Sequence, residues 1–103
     1  MRAWVLIGPP RHWEISFSRS PAIWGFTGRY FTTYQQMSED DLLLFYATSP
    51  TRGFVGYGRF LRHLPADSTE ANELIWPREK DDGAIVWRLR FSFTVRLLPG
   101  GAR

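Results

Sequence analysis

Residues 85–97 alternate more regularly than any other part of this chain, and that alternation limits what the chain can become. Ile85, Trp87, Leu89, Phe91, Phe93, Val95 and Leu97 share one parity, and Arg88, Arg90, Ser92, Thr94 and Arg96 share the other. Successive side chains of a strand point to opposite faces, so the pattern specifies a strand with one core face and one wet, basic face. Single strands rarely run this far. A bend or a switch of neighbours is therefore expected inside it.

A second apolar run, Leu42-Leu43-Leu44-Phe45-Tyr46-Ala47, has no alternation at all. It reads as a central strand covered on both sides. After a short loop with Pro50, residues 54–61 return as its hairpin partner. Gly56 and Gly58 fall on one face of that partner. They leave a groove for a ring or another backbone, or they mark a barrel corner or bulge.

The rest is punctuated by Gly and Pro. Residues 2–7 read as a first strand closed by Gly8-Pro9-Pro10. Residues 11–17 read as a short helix with Trp13 and Phe17 on one face. Residues 18–21 break it, and 23–26 are short and apolar. Residues 30–37 suit a helical turn carrying Tyr30 and Tyr34. Residues 62–82 look like a long polar connection ending in an Asp81-Asp82-Gly83 turn, and such connections are often binding loops. Residues 99–103 read as a flexible tail. The sum is one α+β domain over residues 1–103, with at least four strands, one or two short helices and a sheet curved into a barrel.

Composition narrows the function. A chain of 103 residues suits one domain with a thin core, and the 17% aromatic content lets that core bury much area per residue. Cysteine is absent, which excludes disulfides, thiol catalysis and Cys-based zinc sites. No apolar run is long enough to span a bilayer, and the N-terminus does not resemble a signal peptide. A cytoplasmic protein without a membrane partner is the expectation. The net charge is +3, and Lys80 is the sole lysine. Arginine suits phosphate contacts and ring stacking, although arginine bias also follows from a GC-rich genome or a hot habitat.

Catalytic signatures are lacking. His12 and His63 are isolated, with no second ligand at metal spacing. There is no G-x-S-x-G elbow and no phosphate-binding glycine loop opening a helix. The expectation is a protein that is not an enzyme and holds no metal or cofactor. Trp24 in Ala22-Ile23-Trp24-Gly25-Phe26-Thr27 and Trp76 in Leu74-Ile75-Trp76-Pro77 stand beside Gly and Pro. An indole there needs something to cover its face. Two readings stand: walls of a slot for a flat ring, or plugs of a small core. Trp4, Trp13 and Trp87 read as core.

The ordered series Ile23-Trp24-Gly25-Phe26, Leu43-Leu44-Phe45-Tyr46, Gly53-Phe54-Val55-Gly56-Tyr57-Gly58, Leu74-Ile75-Trp76-Pro77 and residues 83–91 resembles the EVE domain family. That family belongs to the PUA-like superfamily and is related to YTH domains. The resemblance spans nearly the whole chain. It implies a curved β-barrel of five or so mixed strands with one to three short flanking helices, accepting a flipped, modified base. YTH relatives read N6-methyladenine-type marks in RNA, and EVE relatives are associated with modified DNA bases. Trp24 would match one cage tryptophan and Trp76 a second. Thr27, the 16–20 stretch and Thr48 would offer polar contacts to the base edge. Arg52, Arg59, Arg62, Arg88 and Arg90 are the candidates to hold flanking phosphates.

The implied function is a non-catalytic reader whose partner is modified DNA or RNA. The alternative is a PUA-like general RNA-binding or assembly module with no base pocket. EVE and YTH domains usually continue past the strand corresponding to residues 85–98. That departure implies a minimal version, a module fused to an effector domain, or a homodimer.

Overall fold

The computed structural model describes residues 1–99. The chain runs β1 (Ala3–Gly8), α1 (Pro10–Phe17), β2 (Ala22–Phe26), α2 (Phe31–Gln36), β3 (Leu42–Ala47), β4 (Gly53–His63), α3 (Pro77–Asp82), β5 (Leu89–Phe93) and β6 (Arg96–Leu97). Of the 99–103 tail, residues 100–103 lie outside the described part.

The strands form one mixed sheet in the order β1-β3-β4-β5-β2, with β6 added to β4. β1 lies parallel to β3 and the other pairings are antiparallel. The expected closure into a barrel does not occur. β1 and β2 end the strand order and face each other across a cleft lined by Trp4, Trp24 and Phe26. These bulky side chains stand where a closing ladder would have to form.

The core is aromatic. Phe45, Phe60, Phe91 and Phe93 are almost wholly buried, with Trp13 delivered by α1. Trp13 and Phe17 share the inward face of α1 with ring centroids 5.3 Å apart. Pro10 opens this helix, where a missing N–H costs nothing.

Three sequence expectations need correction. First, β3 buries one face only. Leu43, Phe45 and Ala47 are buried, while Leu42, Leu44 and Tyr46 are half-buried on the other side. Among the described residues no helix covers that side, so its apolar residues stay partly in contact with solvent.

Second, residues 85–97 are not one long strand. β5 ends at Phe93, and the chain bends before β6 pairs with β4. The bend agrees with the expectation; the expected wet, basic face does not hold along β5. Arg90 and Ser92 are as buried as Phe91, because β5 lies between β4 and β2 and is covered on both faces.

Third, the polar connection contains α3. Pro77 at its start and Gly83 at its end, with φ of 66°, delimit one short helix. Gly56 and Gly58 accommodate another backbone: a Cβ at either would run into the carbonyls of Arg96 or Thr94.

Candidate nucleic-acid interface

Trp24 projects inward from β2 and stacks on Trp13, with centroids 3.8 Å apart and planes 8° from parallel. The Trp13 indole is itself fixed, since its Nε1 donates to the carbonyl of Tyr46 at 2.9 Å. Gly8 makes room for Trp24, because a Cβ there would overlap the six-membered ring. Gly25 lets the chain at Trp87 approach β2 in the same way.

Trp24 and Trp76 do come together, but against each other. Their centroids are 6.0 Å apart and their planes cross at 77°, an edge-to-face contact. Trp76 is 1% exposed and Trp24 6%. They form one packed cluster with Trp87, which meets Trp76 edge-on at 5.6 Å, rather than two walls of an open slot. His12 of α1 reaches into this cluster. Its ring is 5.1 Å from Trp87 and 6.3 Å from both Trp24 and Trp76. Burial lowers the His12 pKa, and the Glu79 carboxylate opposes that only in part. The imidazole is therefore held neutral among the indoles.

A buried ion pair fixes the far side of the cluster. Glu79 of α3 and Arg90 of β5 are both fully buried, and Nη2 of Arg90 lies 2.7 and 2.8 Å from the two carboxylate oxygens. Arg90 also donates to the carbonyls of Trp87, Glu70 and Glu73. Glu79 accepts from the backbone N–H groups of Ile75, Val86 and Trp87. Burial pushes the Glu79 carboxyl up, but these donors prevail and its pKa falls below the ordinary carboxylate value. The Arg90 guanidinium also sits 5.2 Å over the Trp76 ring. Trp76 Nε1 is buried with no hydrogen-bond partner among the described residues.

The open space lies beside the cluster, in the seam between β1 and β2. It is a cleft of about 360 Å³, within the range of pockets that hold small ligands. Trp24, Phe26, Thr27 and Trp87 line one side, and Trp4 and Leu6 the other. Trp4 is held by Asp41, whose carboxylate accepts from Trp4 Nε1 at 2.9 Å and from the N–H groups of Arg2 and Ser38. The Trp4 bond first, then the Arg2 N–H, bring the Asp41 pKa down to about 2 against the effect of burial.

The remaining candidates are scattered. Thr27 lies in the cleft, and the Arg88 guanidinium rests on Gly28, the next residue in the chain and not itself part of the lining. Thr48 is outside the cleft lining and donates its N–H to the Gly8 carbonyl. Arg62 lines a separate hollow with Arg19, Glu70 and Leu64. Arg52 and Arg59 are exposed along β4 and its preceding turn. Arg90 cannot hold a phosphate from where it is, since all its donors are engaged inside the fold.

Trp4, Trp87 and His12 were not singled out from sequence as site residues. Trp87 falls on the apolar parity of the 85–97 run and reads there as core, and His12 stands alone with no partner at ligand spacing; both signals are local and weak. Among the described residues no cluster of three or more potential metal ligands occurs, and no helix is long and apolar enough to cross a membrane.

Comparison with family models and with curated proteins finds no match for this chain. Among solved structures, the YTH domain of Toxoplasma CPSF4 in its apo form is similar, at 24% identity and a TM-score of 0.53. The similarity covers 94% of this chain and 57% of that one, so the present chain spans little more than half of its structural neighbour. The chain has a YTH-like fold.

Proposed function

We propose that this protein is a non-catalytic nucleic-acid reader that accepts a flipped, modified base in the cleft between β1 and β2. One observation carries the reading: an aromatic cleft open to solvent on a YTH-like fold. A base removed from its stack needs flat apolar walls, and stacking on an aromatic side chain contributes about 1–3 kcal/mol per base. In this reading Trp24 and Trp87 present ring surface to the base, and Thr27 offers a hydroxyl to its edge. Trp76 backs the wall from behind, packed edge-on against Trp24 and Trp87. Arg88 would hold the neighbouring phosphate.

A second reading is a general RNA-binding or assembly module without a base pocket. The contact between Trp24 and Trp76 favours it, because it leaves no slot between those two rings. Binding of paired oligonucleotides, methylated and plain, in both DNA and RNA separates the two. The reader binds the methylated member more tightly and loses that preference on Trp87→Ala and Trp24→Phe. Equal affinity for both members, with dependence on Arg88 alone, selects the general module.

A further inference from the structure

The outward side of β1, β3 and β4 is apolar, aromatic and uncovered. Register places Val5 beside Leu44 and Leu44 beside Tyr57; Ile7 lies beside Tyr46 and Tyr46 beside Phe54. Ile7 is 63% exposed, Val5 52%, Phe54 46% and Tyr57 41%. An antiparallel sheet that keeps one face in water normally makes that face polar. A patch of this kind marks an interaction surface.

The charge around the patch identifies the occupant. Arg59 follows Tyr57 on the same face of β4, Arg96 of β6 stands directly opposite Tyr57, and Arg52 precedes Phe54 in the turn. None of the three is in an ion pair among the described residues. The outward positions of β1, β3 and β4 carry no carboxylate. A second copy of this chain would bring arginines against arginines. A polyanion with flat apolar rings complements both features at once. Tyr46, Phe54 and Tyr57 supply ring surface, with Tyr46 and Phe54 braced edge-to-face at 5.3 Å.

We propose that the outward face of β1, β3 and β4 is a stacking platform for single-stranded nucleic acid, with Phe54 and Tyr57 against bases and Arg59 and Arg96 against phosphates. Stacking on exposed sheet aromatics is tolerant of sequence, since every base has a π-face. The platform shares β1 with the cleft, whose lining includes Val5 and Ile7. A strand crossing β1 would therefore pass from one surface to the other. The platform stands independently of the cleft reading.

The test is fluorescence anisotropy with a labelled, unmodified oligouridylate of roughly 10 nucleotides. The intact protein is expected to bind it, with affinity that falls as salt rises. Phe54→Ala with Tyr57→Ala, and separately Arg59→Glu with Arg96→Glu, should each weaken binding by about tenfold or more. The arginine pair should leave the urea midpoint unchanged, and the aromatic pair, about half-exposed, should lower it while leaving the protein folded under the binding conditions. Absence of binding by the intact protein, or unchanged binding by both double variants, overturns the platform. So does a protein that sediments as a dimer and becomes a monomer on Tyr57→Glu, which would make the face a self-association surface. Loss of methylated-base preference in Trp87→Ala with oligouridylate binding intact supports both sites. Oligouridylate binding that depends on Phe54 and Tyr57, without any methylation preference, sinks the cleft reading alone.

Discussion

Arg90 and Glu79 face each other in the interior with no solvent contact, one guanidinium nitrogen lying within 2.8 Å of both carboxylate oxygens. The pair joins α3 to β5 across 11 residues of sequence and holds the connection that carries Trp76 and Trp87. Its attraction alone would not guarantee a gain, since desolvating two charges is costly. What makes this pair secure is the set of backbone groups that complete both partners.

Removing either member leaves the other charged and buried. Glu79→Gln and Arg90→Met are each expected to destabilise the fold by about 3–5 kcal/mol, read from urea unfolding. Arg90→Lys should recover little of the loss, because an ammonium cannot reproduce a planar fork serving three carbonyls and a carboxylate. An Arg90→Lys midpoint equal to that of the parent would show that charge alone matters here.

Gly58 tolerates no side chain. A Cβ there would meet the Thr94 carbonyl, a rigid backbone group. Gly58→Ala should cost about 1–3 kcal/mol or more by forcing the 94–97 segment off β4. Amide exchange at Thr94 and Arg96 would rise selectively. An unchanged melting temperature would contradict the close approach.

Acid should weaken the hold on Trp4. The Asp41 pKa is near 2 in the fold, against 3.8 for the free group. The stabilisation is thus fully present above pH 3.8 and disappears as pH falls through about 2. Asp41→Asn should be less stable than the parent at neutral pH and should lack this acid-dependent step. Urea midpoints along an acid series measure both.

His12 acts over a different pH window. Its pKa is lowered from 6.5 by burial among the indoles, so the unfolded chain takes up the proton first. Stability is greatest above pH 6.5 and declines below it, until the folded state also protonates. His12→Gln should flatten that slope, and the parent's tryptophan fluorescence should change over the same interval. Identical pH profiles for parent and variant would remove the imidazole from this role.

Much of the layout was legible because local patterns and tertiary environment agreed. β3 coincides with its apolar run, and α1 with the Trp13 and Phe17 spacing. Disagreement arose where a distant group changed the meaning of a residue. Arg90 reads as solvent-facing by parity, yet Glu79, contributed by another element, makes its burial affordable. α3 was hidden in polar residues, although Pro77 and Gly83 bracket it as start and stop signals. The site divides in the same way. Trp24 and Thr27 sit at the cleft, as their segment suggested, but Trp76 backs it and Thr48 lies outside. No local pattern tells which indole of a packed cluster shows its edge to solvent.

The unzipped junction of the first two strands has a mechanical meaning. A guest entering there separates no paired backbone groups, because none join those borders. Adjustment to guests of different thickness can come from side-chain rotation and a slight splaying of the rim, with every existing ladder left whole.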